Sequence, residues 1–232
     1  MVQIMRVPNL ACLLCHQYSP ATVCDFCKFD TRFILQLNYY GNLLRYPVIS
    51  KQFRHTAYDG LLALGEYAWP FDELIHRMKF HRCLASIDLL ANWFVEQCMD
   101  EETLLPDCLL PVPVHFQRFL HRRFNQSAQL AKRIGAKIQR PVFYDWASRK
   151  YGKAQHTLSK ADRLLNLRSA FSVALPASFH HVAIVDDVMT TGVTADVLAK
   201  QLRAQHPDLI VDIWVMALTC KTPLRYRTRC VD

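Results

Sequence analysis

The sequence lacks a long hydrophobic run, because no stretch approaches the roughly twenty apolar residues that a transmembrane helix needs. It has no internal repeat and no low-complexity tract. Its first residues carry too few charges and too short an apolar stretch for a secretory signal, and its cysteine count of nine is odd. These features predict a soluble protein of a reducing compartment, without a membrane span, in which cysteines bind metal rather than form disulfides.

Acidic residues are comparatively few: 20 Asp and Glu stand against 28 Lys and Arg, which gives a net charge of +8. Such an excess favours anionic partners, including nucleic acid, phosphorylated metabolites and acidic surfaces, without choosing among them. With 232 residues, 51% of them hydrophobic, the chain can hold one large α/β domain and a small appendage.

The chain also lacks the G-x-x-x-x-G-K-[ST] motif that binds a triphosphate. This absence argues against an ATPase strand in its most informative segment. That segment is VAIVDDVMTTGVT, residues 182–194. Its first four residues form a continuous apolar run, typical of a parallel strand covered on both faces. Asp186 and Asp187 follow at the predicted carboxyl end of the strand, where ligands bind in open α/β sheets.

The residues after the two acids predict a phosphate-binding loop. Thr190, Thr191 and Thr194 offer hydroxyls, and Gly192 lets the backbone approach a ligand closely. Residues 195–203 are typical of a following helix, whose N-terminal N–H groups and dipole suit an anion. The paired acids suit sugar hydroxyls and a divalent ion. A phosphorylated sugar fits the combination, although acids that end a strand and threonines that cap a helix are the purely structural alternative.

Two C-x-x-C pairs lie near the N-terminus, formed by Cys12 and Cys15 and by Cys24 and Cys27. Four thiolates at these spacings suit a tetrahedral zinc ion. A redox function would need only one pair beside a βαβ unit, whereas four thiolates in a segment too small for its own core favour a structural site. The other cysteines are predicted to be small hydrophobic residues or exposed thiols: Cys83, Cys98, Cys108, Cys220 and Cys230.

Strand-like and helix-like segments alternate along the rest of the chain, which predicts an α/β fold with a parallel sheet flanked by helices. Strands are expected at 61–67, 109–114, 142–146, 182–185 and 210–218. Helices are expected after Pro70, along the apolar stripe from Ile87 to Cys98, and from Asn125. The predicted organisation is a zinc module over residues 1–34, a connector over 35–58 and the main domain over 59–232.

A basic loop follows the strand that ends at Val114. Arg118 and Arg122 are four residues apart and could face one anion if the loop is partly helical. The planar guanidinium of Arg suits phosphate, and the alternative is a solvated basic face.

Residues 182–194 resemble the thirteen-residue PRPP-binding motif of type I phosphoribosyltransferases. The resemblance implies that Asp186 and Asp187 contact the ribose hydroxyls and the magnesium shell, and that they are the catalytic residues if PRPP is turned over. It implies further that the 5′-phosphate is bound by the loop residues, namely Thr190, Thr191, Gly192, Val193 and Thr194. It also implies pyrophosphate contacts from Arg118, Arg122 and Lys79, and a mobile lid over residues 149–171.

Nearly the whole chain resembles the ComF family, some of whose members are labelled gluconate-uptake proteins. The resemblance lies in the paired cysteine knuckles, F-D-E-L-I-H-R-M-K-F, P-V-P-V, R-x-x-x-R-R-F-N-Q, Gln155, R-x-x-N-L-R-S-A-F and D-D-x-x-T-T-G. This family combines an N-terminal zinc module with a type I phosphoribosyltransferase-like domain and is associated with natural transformation.

The ComF resemblance implies a cytoplasmic protein that binds PRPP and Mg²⁺, handles incoming single-stranded DNA and has partners such as a helicase. The alternative is an active phosphoribosyltransferase of nucleobase salvage or a related pathway. Two departures from the family pattern matter. Arg123 replaces a glycine found in many relatives, and a second set of knuckles found in some of them is missing, which implies one zinc ion rather than two.

Overall fold

A computed structural model describes residues 11–34, 41–54, 56–114, 124–149, 171–222 and 224. Arg118, Arg122, Arg123 and most of the predicted lid lie outside these described residues. The helices are α1 (Asp25–Asp30), α2 (Pro47–Gln52), α3 (Phe71–His81), α4 (Leu84–Cys98), α5 (Gln126–Ile138) and α6 (Val193–Gln205), with a 3₁₀ turn at Leu43–Arg45. The strands are β1 (Gly60–Glu66), β2 (Cys108–Pro111), β3 (Ala147–Arg149), β4 (Phe171–Val173), β5 (His181–Met189) and β6 (Ile210–Leu218).

Four strands form the central sheet in the order β1-β6-β5-β2, and every neighbouring pair is parallel. The apolar runs of β5 and β6 are buried because helices cover both faces of the sheet, as parallel strands require. The predicted α/β fold with a parallel sheet flanked by helices is therefore confirmed. Strands β3 and β4 form a separate antiparallel pair.

The two faces of the sheet carry two hydrophobic clusters. On β5, Val182 and Ile184 belong to one cluster, while Ala183 and Val185 belong to the other, as the alternation of side chains along a strand requires. The first cluster includes the apolar face of α6 and residues of the segment before β1, and the second includes α3, α4 and α5. The described helices thus cover both faces of the sheet.

The predicted strand at 142–146 differs from the structure. Val142 makes only an isolated bridge to Leu109, and the nearest strand is the short β3 at Ala147–Arg149. Trp146 is instead fully buried, and its Nε1–H donates to the carbonyl oxygen of Pro111 at 2.9 Å. Aromatic and branched residues favour strands, but here one of them fills the core beside the end of β2.

The N-terminal module packs on the second cluster rather than standing apart. Phe33 makes edge-to-face contacts with Phe71 of α3 and Trp93 of α4, with ring centroids 5.9 and 5.3 Å apart. Arg77 of α3 adds polar contacts, because its Nη1 donates to the Leu13 carbonyl oxygen at 2.5 Å and its Nη2 lies 2.9 Å from His16 Nε2. Helices α3 and α4 therefore both support the module. Among the described residues, none of the helices has the length and hydrophobicity to span a bilayer.

Candidate functional site

The two predicted acids lie near the carboxyl end of β5, but their side chains have different surroundings. Asp186 lines an open pocket beside the sheet, and its Oδ1 accepts hydrogen bonds from Ser127 Oγ at 2.8 Å and from the Asp187 N–H at 2.9 Å. Asp187 Oδ2 lies 2.9 Å from Lys79 Nζ of α3. Successive side chains of a strand point to opposite faces, so the pair reaches both sides of β5.

The electrostatics of the acid pair follow from burial and from their mutual repulsion. Burial, followed by the charge of Asp187, raises the pKa of the Asp186 carboxyl to about 7, while the Ser127 hydroxyl, the Asp187 N–H and Lys79 oppose the rise. The side chains of Lys79 and Asp187 are only 19% and 12% exposed. Lys79 is thus the cation that compensates a pair of carboxylates at a largely buried position.

Residues 190–194 follow β5 and form the loop that begins α6. Gly192 is the N-cap of α6 and has a φ of 73°, in the left-handed region that favours glycine. A Cβ at this position would lie 2.7 Å from Met189 Cε and 3.0 Å from the ring of Phe53. The turn therefore needs glycine both for its backbone conformation and for the space that Phe53 fills.

The N-terminus of α6 is a candidate anion site. The first helical bond runs from the Asp196 N–H to the Gly192 carbonyl oxygen at 2.9 Å. In an α-helix the N–H groups before this one have no partner within the helix, and here they belong to Val193, Thr194 and Ala195. With the exposed Thr190 and Thr191 beside them, they can bind a phosphate group through backbone and hydroxyl donors.

An open pocket of about 390 Å³, its mouth included, connects the loop with Asp186. The floor is apolar and the rim carries hydroxyls and a carboxyl group. The floor is lined by Ile184, Ile213 and Val215. The rim is lined by Asp186, Thr190, Thr191 and Thr194.

The start of α5 supports Asp186, a contact that sequence reasoning missed. Asn125 caps the helix, since its Oδ1 accepts from the Ala128 N–H at 3.2 Å and its Nδ2 donates to the Val112 carbonyl oxygen at 3.0 Å. This cap fixes the first turn of α5, from which Ser127 reaches Asp186. Gln126 is 2% exposed, and its Nε2 has no hydrogen-bond partner among the described residues. In the sequence, Asn125-Gln126-Ser127 indicates the start of a helix, but it does not indicate that Ser127 contacts Asp186.

The four N-terminal cysteines meet in one place. Their Sγ atoms all lie within 4.8 Å of one another, and those of Cys15 and Cys24 are 3.8 Å apart. Tetrahedral zinc with Zn–S bonds of about 2.3 Å separates its sulfur ligands by about 3.8 Å, so the cluster fits a metal such as zinc. The donor set is soft and closed, which suits a structural ion.

Backbone groups prepare Cys12 for a metal. Its Sγ accepts hydrogen bonds from the N–H groups of Leu14 and Cys24, both at 3.4 Å. Burial alone raises the pKa of this thiol, but hydrogen bonds from the Cys24, Cys15 and Leu14 backbone groups outweigh it and lower the pKa to about 6. Zinc binds the thiolate form of cysteine. N–H groups that donate to the sulfur favour this form and lie in the second shell of the candidate metal site.

The predicted site residues thus fall into four groups. Asp186 and the loop residues 190–194 line one pocket, and the four cysteines form one cluster. Lys79 forms an ion pair with Asp187. Its predicted contact with pyrophosphate stays a prediction. Arg118 and Arg122 lie outside the described residues.

No family model matches the chain. Among curated proteins, it is 29% identical over 204 residues to competence protein F of Haemophilus influenzae, with 84% of this chain and 83% of that protein covered. It is 32% identical over 168 residues to DNA utilization protein YhgH of Escherichia coli K12, with 68% of this chain and 72% of that protein covered. The corresponding protein of Salmonella typhimurium is 31% identical over 164 residues.

Among solved structures, the chain is similar to a purine phosphoribosyltransferase from Pyrococcus horikoshii. The two are 14% identical with a TM-score of 0.29, over 72% of this chain and 98% of that chain.

The fold and the site define an α/β protein with a parallel sheet, a pocket at its carboxyl edge and an N-terminal four-cysteine module that can hold a metal such as zinc. Given its identity to YhgH and competence protein F over most of its length, the chain belongs to the ComF family.

Proposed function

We propose that this protein serves DNA uptake or DNA utilisation in the cytoplasm and binds PRPP with Mg²⁺ at the carboxyl end of β5. The names of its relatives, competence protein F and DNA utilization protein, support the process. The observation that supports PRPP as the ligand is the pocket lined by Asp186 and by the loop at residues 190–194.

In this proposal, different residues of the pocket contact different parts of the ligand. The 5′-phosphate accepts from the N–H groups at the start of α6 and from the threonine hydroxyls. The ribose hydroxyls donate to the carboxylate of Asp186, and Asp187 adds a second carboxylate from the other face of β5. Oxygen ligands of this kind suit Mg²⁺, and Asp186 and Asp187 are the residues that would hold the ion, whose charge would offset that of the ligand's phosphates.

The other modules have separate tasks in this proposal. Zinc at Cys12, Cys15, Cys24 and Cys27 stabilises the N-terminal module and contributes folding energy rather than chemistry. A net charge of +8 favours contact with incoming single-stranded DNA, and proteins of the uptake machinery such as a helicase are the proposed partners. PRPP then acts as a bound ligand that stabilises or regulates the protein.

An active phosphoribosyltransferase of nucleobase salvage is the second candidate, because the pocket is lined by Asp186 and by residues 190–194, and Asp187 follows Asp186 on β5. In that reaction a bond forms between ribose C1 and the acceptor base as the bond from C1 to the pyrophosphate oxygen breaks. Pyrophosphate takes the electron pair, and the base loses its proton. Incubating PRPP with a panel of bases and measuring released pyrophosphate decides between the candidates, since binding without release across the panel favours the DNA-utilisation role.

Calorimetric titration of PRPP, with and without Mg²⁺, tests the site. We expect binding heat from the native chain and none from a variant with Asp186→Asn and Asp187→Asn. Asp208→Asn, at an exposed position before β6, is the matched control and should bind as the native chain does. Equal heats from the native chain and the double variant would overturn the assignment.

A further inference from the structure

Helix α3 contacts the four-cysteine module on one side and the candidate PRPP site on the other. Arg77 reaches the module, and Lys79, two residues further along, reaches Asp187 near the end of β5. Two residues correspond to about 200° around an α-helix, so the two side chains leave α3 on nearly opposite sides. A displacement of α3 at the module therefore also changes its contacts at the acid pair.

Both partners of Arg77 in the module belong to the first C-x-x-C knuckle. Its Nη1 donates to the Leu13 carbonyl oxygen at 2.5 Å, and its Nη2 lies 2.9 Å from His16 Nε2. Leu13 lies between the candidate metal ligands Cys12 and Cys15. His16 follows the second of these ligands directly. The position of the guanidinium is therefore tied to the conformation of the knuckle.

Arg77 is also held on its own helix. Its Nε donates to Glu73 Oε1, one turn earlier in α3, at 2.6 Å, and its side chain is only 18% exposed. This bond leaves Nη1 and Nη2 for the knuckle. Because the guanidinium is planar and its donors have a fixed geometry, partners on both sides determine its position closely. A change in the backbone of the knuckle is thus transmitted to α3.

The knuckle depends on its metal. It is closed by two backbone hydrogen bonds, from the Cys12 N–H to the Gln17 carbonyl oxygen at 2.7 Å and from the His16 N–H to the Cys12 carbonyl oxygen at 3.0 Å. Small cysteine modules commonly fold only when metal is bound, since the binding free energy of the metal is also folding free energy. The knuckle is therefore an element with two states, which metal occupancy can switch.

Apolar packing adds to the link between the module and α3. Phe33 of the module packs edge to face on Phe71 of α3. On its other side, the Phe71 ring occupies the space above Gly65 of β1, where an added Cβ would lie 1.9 Å from the ring. The ring is thus enclosed between the module and the sheet. Unfolding of the module would uncover Phe71 in the first turn of α3 and remove the partners of Arg77 further along.

We propose that the metal in the four-cysteine module sets the affinity of the pocket for PRPP, because Arg77 and α3 connect the knuckle to Lys79 and the acid pair. With metal bound, α3 is held in place and Lys79 stays on Asp187. Without metal, α3 loses its contacts with the module, and the ion pair at the largely buried Asp187 weakens, which disturbs the neighbouring Asp186. Arg77 is thus a positioning residue. The inference rests on the proposed PRPP site and adds its control by the module.

The zinc affinity of the full-length protein, with and without PRPP, tests the coupling. A chromophoric chelator that competes for Zn²⁺ at constant Mg²⁺ measures this affinity. Coupling between two sites is reciprocal, so PRPP should raise the zinc affinity of the native chain at least about fivefold. Arg77→Met should reduce this effect to less than about twofold. Arg133→Met removes an ion pair with Asp88 between α5 and α4 and should keep the full effect.

Hydrogen exchange provides a second readout, which needs no PRPP. Removing the metal from the native chain should speed exchange at residues 77–82 and 186–189 at least about fivefold and leave residues 198–205 of α6 unchanged. In Arg77→Met, metal removal should no longer affect residues 186–189. Thermal melting of the metal-loaded variants checks that they are folded.

PRPP calorimetry on the native chain separates this inference from the proposed function. PRPP binding that leaves the zinc affinity unchanged would overturn the coupling and leave the pocket assignment intact. Metal-dependent exchange at residues 186–189, in a chain that binds no PRPP, would refute the proposed ligand and support the link through α3. Exchange there that does not respond to the metal would overturn the link, and equal effects in the native chain and Arg77→Met would overturn the role of Arg77.

Discussion

Lys79 Nζ lies 2.9 Å from Asp187 Oδ2, and this ion pair joins α3 to the acidic end of β5. Asp186 directly precedes Asp187, and burial followed by the charge of Asp187 raises the pKa of Asp186, which the charge of Lys79 opposes. One lysine therefore compensates two neighbouring carboxyl groups. We expect two consequences: Lys79 stabilises the unliganded protein, and the proposed Mg²⁺, when bound, takes over part of its role.

Replacing Lys79 tests both consequences. Lys79→Met leaves Asp187 largely buried without its partner, which we expect to lower the free energy of unfolding by about 2 kcal/mol. Mg²⁺ should then raise the melting temperature of the variant more than that of the native chain. Chemical denaturation and thermal melting at several Mg²⁺ concentrations measure the two effects.

Lys200→Met is the matched control for Lys79→Met. Lys200 pairs with Asp196 at 2.6 Å on α6, but its side chain is 50% exposed, so its loss should cost no more than about 0.5 kcal/mol. If Mg²⁺ raises the melting temperatures of the native chain and of Lys79→Met equally, the acid pair is not where the ion binds.

The loop at residues 190–194 should need glycine at position 192, both for its backbone conformation and for space. Gly192→Ala forces a Cβ into the left-handed region and against Met189 and Phe53, which we expect to cost about 2 kcal/mol and to abolish PRPP binding. Denaturation and calorimetry on one preparation measure both quantities.

Gly41 offers a control that separates backbone strain from crowding. It has a similar φ of 68°, and a Cβ there would meet nothing within 4 Å among the described residues. Gly41→Ala should therefore cost only the strain of about 1 kcal/mol and leave PRPP affinity unchanged. Equal stability losses in the two variants would show that the Phe53 contact does not constrain the loop.

The strand and loop at residues 182–194 could be predicted because their signals are local: an apolar run, two acids and a glycine with hydroxyls follow one another in the chain. The contacts that support the site could not be predicted in this way, although the family resemblance names Lys79 as a candidate for pyrophosphate contacts. Lys79, Ser127 and Phe53 reach the site from separate segments, and only the packing of α3, α5 and the segment before β1 brings them there. Pairing over such distances leaves no periodic signal in a single sequence.

The four-cysteine module gives the third prediction. Cys24→Ser should lose the bound metal, since three thiolates bind zinc far less tightly than four. It should also melt at a lower temperature in a single transition, because Cys12, Cys27 and Phe33 share a hydrophobic cluster with Trp93 of the main domain. Metal analysis and calorimetric melting provide the readouts.

Cys83→Ser serves as the matched control for the metal site. Cys83 is the N-cap residue of α4, a position where serine is favoured, and it lies outside the four-cysteine cluster. This variant should keep its metal and its melting temperature. Full metal content in Cys24→Ser would refute a four-cysteine site, and a separate low-temperature transition there would show that the module unfolds independently of α3.

Acid should lower the stability of the folded protein by protonating Asp107, which lies far from the pocket. Its Oδ2 accepts from the His180 N–H at 2.7 Å and from the His181 N–H at 2.9 Å, which ties the starts of β2 and β5 together. These bonds, that of His181 first, hold the pKa of Asp107 below its ordinary value. A carboxyl group with a lowered pKa in the folded state stabilises it above the unfolded pKa of about 3.9, and this contribution is lost as the pH falls through the folded value.

Asp107→Asn isolates that contribution. At neutral pH the variant should be less stable than the native chain by about 1 kcal/mol, because Asp107 is exposed and water can replace part of the lost bonding. Below about pH 4 the difference should shrink, since a protonated Asp107 resembles the amide. Urea denaturation of both proteins across this range measures it. A difference that stays constant as the pH falls would mean that the amide loses geometry rather than charge, and PRPP affinity should be the same in both proteins because Asp107 lies at the opposite end of β5 from Asp186.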